Sequence, residues 1–231
     1  MNLVFDPAWL PRFGQGLLLT LQLTASCMAL GAVGGMVLGL LRVYGGGRWS
    51  PLYWLASAYV HFFRGTPLLV QLLTIYYGLP EVGIRLGPFQ AGLIAMGLNT
   101  AAYQAEYFRG AIQSVKAGQM LAARSLGLSR AQAIRHVIVP QALRLVIPPW
   151  SNELIYMLKY SSIVSMTALR PETLDLFGVG RQIASRNFRY FEVYIIVALF
   201  YLALVLLLTV AVRWVERRVA VPGLGSPGRG I

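Results

Sequence analysis

The sequence predicts an all-α membrane protein of about five transmembrane helices, with a short cytoplasmic helix pair inserted between the third and the fourth. Three observations carry that expectation. Apolar residues fill 57% of the 231 positions and charged residues only 12%, a balance that suits a membrane chain better than a soluble domain. The apolar residues are gathered into five stretches long enough to cross a bilayer. The formal charge of +12 falls mostly at the ends of those stretches, where lipid headgroups and membrane orientation account for it. In a soluble chain the same excess would point to nucleic acid, so membrane lipid is expected as a partner and nucleic acid is not.

Residues 1–13 mix polar and apolar side chains around Pro7 and Pro11 and suit the interface. The first span covers residues 14–41. Gly31, Gly35 and Gly39 recur every four residues along it, with Gly34 beside them, a stripe that lets another helix backbone come close. Residues 23–27 end in Cys27 like a lipoprotein cleavage box, but the apolar run continues well past it, so a retained span is expected. A single cysteine forms no intrachain disulfide. Arg42, the glycines at 45–47 and Arg48 then make a basic turn.

The second apolar stretch, residues 51–77, is interrupted at Arg64, Gly65, Thr66 and Pro67. Proline disfavours helix at the residue before it, so a kink or break is expected there. Residues 79–88 are rich in turn formers. The third span, residues 89–110, carries Asn99, Tyr103 and Glu106 on one helical face. The fourth is expected to begin at Pro148 and Pro149, since proline suits a first helical turn, and to run to about residue 169. It carries Asn152, Glu153, Tyr156, Lys159, Ser161 and Ser162. Residues 170–189 read as an amphipathic loop with a short helix after Pro171. The fifth span, residues 191–212, is almost purely aliphatic and ends in Arg213, Arg217 and Arg218. Residues 1–218 thus form a single transmembrane domain, and residues 219–231 a cytoplasmic tail expected to be disordered.

Between the third and fourth spans lies a short polar-faced segment. One helix is expected over residues 120–126, ended by Gly127 in the left-handed conformation. Ser129 and Gln132 form a capping box that starts a second helix, expected to end at Pro140. Two short helices joined by a tight elbow make a rigid knob suited to being gripped by a partner. The same pattern is also compatible with an amphipathic pair at the membrane surface, and with a helix-turn-helix. Five spans put the termini on opposite sides. The side with the basic turn, knob and tail holds about eleven Lys and Arg against about six on the other, which makes it cytoplasmic and leaves the N-terminus outside.

Ionisable groups within a span are costly and must face protein or water. One reading gives Asn99, Tyr103, Glu153, Tyr156 and Ser161 a polar patch at mid-depth that binds a zwitterion, with Glu153 drawing the ammonium and hydroxyl and amide donors holding the carboxylate. The other has Glu153 and Lys159 neutralising each other or capping backbone breaks. For Glu106 a pair with Arg109 or Arg64 is preferred. No G-x-x-x-x-G-K-S/T run is present to cradle ATP phosphates, and no Ser/His/Asp arrangement is visible. His61 and His136 are isolated, so no metal site is expected and the chain is not itself an enzyme.

An ordered series of motifs extends this reading. Ala122, Ala123, Gly127, Val139 and Pro140, followed by Gln141 and Ala142, resemble the cytoplasmic coupling loop of ABC-importer membrane subunits. Residues 64–67, 68–71, 99–106, 108–112 and 152–159 resemble the amino-acid-importing branch of that family, so the likeness runs from Gly16 to Arg218. The family's usual glutamate falls on Leu121, which shifts docking toward shape and toward Arg124, Arg130 and Arg135, with Ser129 capping the knob. The resemblance implies a permease with the type I importer fold in a bacterial inner membrane, importing polar amino acids (basic ones or glutamine) by alternating access. It also implies a second permease subunit, identical or related, a pair of cytoplasmic ATPases that bind ATP and Mg, and an external amino-acid-binding protein. The chain itself would hold no cofactor. Thr66, Pro67 and Gln71 would lie near the gate. Two other readings are an ion-coupled secondary amino-acid carrier that uses Glu153 or Glu106 as its proton site, and a non-transporting assembly factor.

Overall fold

The structure, a computed structural model, describes residues 7–46, 49–167 and 174–219. The described residues are helical, joined by short connections. Helix α1 (Leu10–Tyr44) follows a 3₁₀ turn at Pro7–Trp9 and reaches three residues beyond the expected span at its C-terminal end. Pro11 sits in its first turn, where the missing N–H costs nothing. Helix α2 (Pro51–Gly65) and α3 (Leu68–Leu73) are separated by the expected break: Thr66 and Pro67 are both extended. A π-helical turn (Thr74–Gly78) and a 3₁₀ turn (Leu79–Val82) follow, closed by Gly83 with φ +84°. Helix α4 (Pro88–Ser114) is the centre of the bundle, and α5 (Ala117–Ser125) is the first helix of the knob.

The knob departs from expectation at Pro140. Its second helix does not end there. Helix α6 (Arg130–Ala133) passes through a π-helical turn (Ile134–Ile138) directly into α7 (Val139–Tyr160), so the knob and the following span form one rod roughly 45 Å long. The wide turn makes this possible. The Val139 N–H reaches the Ile134 carbonyl five residues back, Pro140 then falls in the first turn of α7, and the Gln141 amide donates to the Val137 carbonyl at 2.9 Å. Pro148 and Pro149 do not start a span either; they lie inside α7, which continues through them. α7 ends earlier than expected, at Tyr160, and is followed by a 3₁₀ segment (Ser161–Met166). Helices α8 (Leu176–Asn187) and α9 (Tyr190–Val219) complete the chain. The expected start of a helix after Pro171 lies outside the described residues, as do residues 220–231 of the tail expected at 219–231; Val219 is the last residue of α9.

The glycine stripe positions the core. Gly31, Gly35 and Gly39 are buried against α4, and a Cβ added at Gly35 would lie 2.7 Å from Gln104 Cβ and 2.9 Å from the Ala105 amide nitrogen. Around this contact, Leu23, Cys27 and Met28 of α1 pack with Ala91, Ala95 and Met96 of α4, Leu72 of α3 and Met157 of α7. A second cluster joins Phe13 to α8 and to Val193 and Val197 of α9. A third, with Phe108 and Ile112 of α4 and Ile138, Ala142 and Val146, seats the base of the knob. Among the described residues, two helical stretches (Pro7–Tyr44 and Tyr190–Val219) are long and apolar enough to cross a membrane by composition alone.

Replacing Gly35 by Ala should force α1 and α4 apart, because the nearest obstacle is partly backbone and cannot rotate away. The expected loss is about 1–3 kcal/mol, read as a lower midpoint in denaturant titration of the detergent-solubilised protein. An unchanged midpoint would mean that the close approach is not a stabilising contact.

Candidate functional site

The break between α2 and α3 frees carbonyls that a continuous helix would have satisfied. The Gln71 amide donates to Phe63 O at 2.9 Å, Thr66 O at 3.1 Å and Thr66 Oγ1 at 2.7 Å. Asn99 of α4 donates to Phe63 O at 3.0 Å and to Gln71 Oε1 at 3.1 Å. The Thr66 hydroxyl donates to Phe62 O. Two side-chain amides therefore hold the break open and tie it to α4.

A cavity of about 760 Å³ lies against this break, walled by α4 and α7. Asn99, Tyr103, Tyr107, Glu153, Tyr156 and Arg64 supply its polar lining, and Thr66 and Pro67 are part of its edge. Of the five expected binding residues, Asn99, Tyr103, Glu153 and Tyr156 come together here. Ser161 does not: it is fully buried and donates to Leu158 O at 2.8 Å. The helix tightens to 3₁₀ at Ser161, which takes that side chain off the stripe extrapolated from α7. Gln71 stands behind the wall, bonded to Asn99.

Glu153 is 3% exposed, and its carboxylate is held by hydroxyls from α4: Thr100 Oγ1 at 2.9 Å and Tyr107 OH at 3.0 Å. Lys159 does not neutralise it; the ammonium sits over the Tyr156 ring, 4.7 Å from the centroid. The hydroxyl network extends inward. Gln104 donates to Thr100 Oγ1 and to the Met28 carbonyl of α1, and accepts from Trp150 Nε1 at 2.8 Å. Glu106 lies one turn below Tyr103 and is paired with Arg109, as expected, at 2.6 Å, and with Arg64 at 3.7 Å. It is also bonded to Arg42 of α1, a partner the sequence reading left in the basic turn.

Tyr107, Tyr160, Thr100 and Arg64 are candidate-site residues that sequence reasoning missed. Tyr107 was within reach, since Asn99, Tyr103 and Tyr107 repeat every four residues and share a face as well as Glu106 does. The sequence places Arg64 at the helix break and as a partner of Glu106; its entry into the cavity follows from how the break turns the end of α2.

At the other end of α7, the knob has the local geometry its sequence implies. Gly127 has φ +85°, and the Leu128 and Gly127 N–H groups bond to Ala123 O and Arg124 O in the paired pattern that closes a helix on a left-handed glycine. Both bonds of the Ser129–Gln132 capping box are present. Arg124 braces the elbow through the Leu128 carbonyl, and Arg130 lies over the Tyr44 ring at the end of α1. Ala122 and Arg135 are exposed, whereas Ala123 is buried within the knob and presents no surface to a partner. Leu121, at the usual glutamate's position, and Leu126 project outward; Leu126 is 82% exposed.

Residues 31–221 match the family described as "Binding-protein-dependent transport system inner membrane component". The chain belongs to that family. It is 43% identical over 198 residues to the Bacillus subtilis protein named "Probable glutamine ABC transporter permease protein GlnM", across 85% of this chain and 88% of that one. Another Bacillus subtilis relative, "Arginine transport system permease protein ArtQ", is 35% identical over 221 residues, 94% of this chain and 98% of that one. The solved structure called "Crystal structure of an amino acid ABC transporter with histidines" superposes with a TM-score of 0.82 at 40% identity, covering 93% of this chain and 99% of that chain. The protein is thus an amino-acid ABC transporter permease subunit with the type I importer fold, an inner-membrane component whose ATPase is a separate subunit. The resemblance drawn from the motif series is correct.

Gln71→Ala should leave the Thr66 carbonyl without its amide partner at a cost of about 1–3 kcal/mol. Because Gln71 and Asn99 share the Phe63 carbonyl and bond each other, Gln71→Ala and Asn99→Ala are expected to be non-additive by about 0.5 kcal/mol or more in a double-mutant cycle on unfolding. Strict additivity would break the proposed coupling between the two amides.

Proposed function

We propose that this permease imports a polar amino acid by ATP-driven alternating access, and that the cavity beside the α2–α3 break is its binding site. The observation that carries this is the rod from α6 through α7. One continuous element bears the knob at one end and, roughly 35 Å away, the Glu153 carboxylate at the cavity wall. Force applied to the knob therefore acts on the same backbone that presents the acid.

In this mechanism the partner ATPase dimer binds ATP and Mg and grips the knob through Ala122, Arg124, Arg130, Arg135 and the exposed leucines. Gly127 and Ser129 keep the knob rigid. Movement of α7 relative to α4 changes the hydroxyl cage around Glu153, which receives the substrate ammonium. Thr66 and Pro67 form the gate edge of the cavity, Gln71 anchors that edge from behind through Asn99, and Asn99, Tyr103 and Tyr156 line the bound molecule. An external binding protein delivers the amino acid, and a second permease subunit faces this one across the passage. Five spans run through the membrane, the second broken at Pro67 and the fourth continuous with the knob, with the N-terminus outside and the C-terminus in the cytoplasm. The relatives named for glutamine and arginine favour glutamine or a basic amino acid as substrate. The chain contributes no cofactor of its own.

The direct test is uptake into vesicles by the reconstituted complex with its ATPase and binding protein. Glu153→Gln is expected to lower uptake about tenfold or more, since an ionic contact to the ammonium is lost, while the complex still assembles and hydrolyses ATP. Uptake that continues without ATP and collapses with the proton gradient would replace this mechanism with an ion-coupled carrier. A second variant addresses the knob. The space around Gly127 is open, so Gly127→Asn should be tolerated, whereas Gly127→Val should uncouple hydrolysis from uptake because a β-branched residue resists positive φ. Equal coupling in both variants would remove the rigid elbow from the mechanism.

A further inference from the structure

Resting on the cavity as the amino-acid site, we propose that Arg64 determines specificity by taking the substrate's α-carboxylate, so that the site requires a free carboxylate. The argument is one of donors with capacity to spare. Asn99 lines the cavity, but both of its amide hydrogens are engaged, on Phe63 O and Gln71 Oε1. Gln71 spends its amide on Phe63 and Thr66, and the Thr66 hydroxyl is committed to Phe62 O. Tyr107 donates its hydroxyl to Glu153. The amide and hydroxyl donors that composition offers for a carboxylate are thus largely consumed in holding the break and the acid.

Arg64 differs from these. Three guanidinium groups surround Glu106, and one carboxylate cannot neutralise three cations. Arg42 hydrogen-bonds to Oε1, and Arg109 takes Oε2 with both Nε (2.9 Å) and Nη2 (2.6 Å). Arg64 Nη1 is 3.7 Å from Oε1, beyond hydrogen-bond reach, and its side chain is the most exposed of the three at 42%. It lies 5.2 Å from the Tyr103 ring centroid, which holds the planar group at the cavity wall without using its N–H donors. An arginine so placed offers a bidentate fork matched to a carboxylate. Glu153 lines the same cavity, so its ionic groups are a cation and an anion, the charge pair of an α-amino acid zwitterion. The remaining tyrosine hydroxyls are neutral, and a carboxylate leaving water needs a charged partner to offset its desolvation.

The test is equilibrium binding of radiolabelled L-glutamine and L-arginine to the permease–ATPase complex in lipid nanodiscs, without binding protein, in competition with the α-carboxamide of each. Wild type should prefer the free acid about tenfold or more. Arg64→Gln should abolish that preference, and Arg64→Lys, which keeps the charge and loses the fork, should fall between. Equal competition by acid and amide in the wild type would overturn the role of Arg64 while leaving the cavity as the site. An undiminished preference in Arg64→Gln would do the same. If neither amino acid binds at all, the cavity reading itself fails, and the role of Arg64 with it. The wild-type comparison needs no variant, so a folding defect in either substitution leaves the proposal open to refutation.

Discussion

An interrupted helix within a membrane needs partners for the carbonyls it exposes, because hydrocarbon offers none. The rest of this structure depends on how that need is met at Thr66 and Pro67. Gln71, just after the break, and Asn99, from α4, supply the missing donors and bond each other. A weak point in the second apolar stretch thereby becomes a fixed corner attached to the central helix. The corner is also what brings Arg64 and the Thr66–Pro67 edge to the cavity.

The central helix meets its neighbours in two ways. Toward α1 it packs closely on a strip of glycines, where backbone contact replaces the absent hydrophobic drive between helices in lipid. Toward α7 it offers hydroxyls and an amide set between apolar contacts of Met96, Phe108 and Ile112, so the interface is mixed. Thr100 and Tyr107 hold Glu153, and Gln104 links Thr100 with Met28 and Trp150. The two sides of α4 are thus built differently, and the proposed mechanism places its movement on the side that faces α7.

Much of this was legible in the sequence, and the parts that were not share a cause. Gly127, the Ser129–Gln132 box, the glycine stripe and the Pro67 break are local signals, set by backbone sterics within a few residues, and the structure contains all four. Pro140 misled because a proline's effect depends on whether the preceding turn can widen, and the π-helical turn at Ile134–Ile138 lies in residues with no distinguishing composition; Pro148 and Pro149 lie within α7, which had already begun at Val139. Four of the five expected binding residues meet at one cavity because they follow helical faces, and Ser161 leaves it where the helix changes pitch. Arg42 needed tertiary knowledge, since it meets Glu106 from α1 across a separation that no periodicity encodes; Arg64 was expected beside Glu106, and only its place on the cavity wall was not.

The cluster of three arginines around one glutamate carries a net positive charge beside the cavity. Fixed positive charge along a narrow route raises an electrostatic barrier to stray protons and metal cations. A transporter that opens a water-lined space for its cargo risks short-circuiting the potential across the membrane at every cycle. In the proposed mechanism, guanidinium groups on the cavity wall would add a charge barrier of this kind to steric closure, with Glu153 in the same cavity offsetting part of it for a basic substrate.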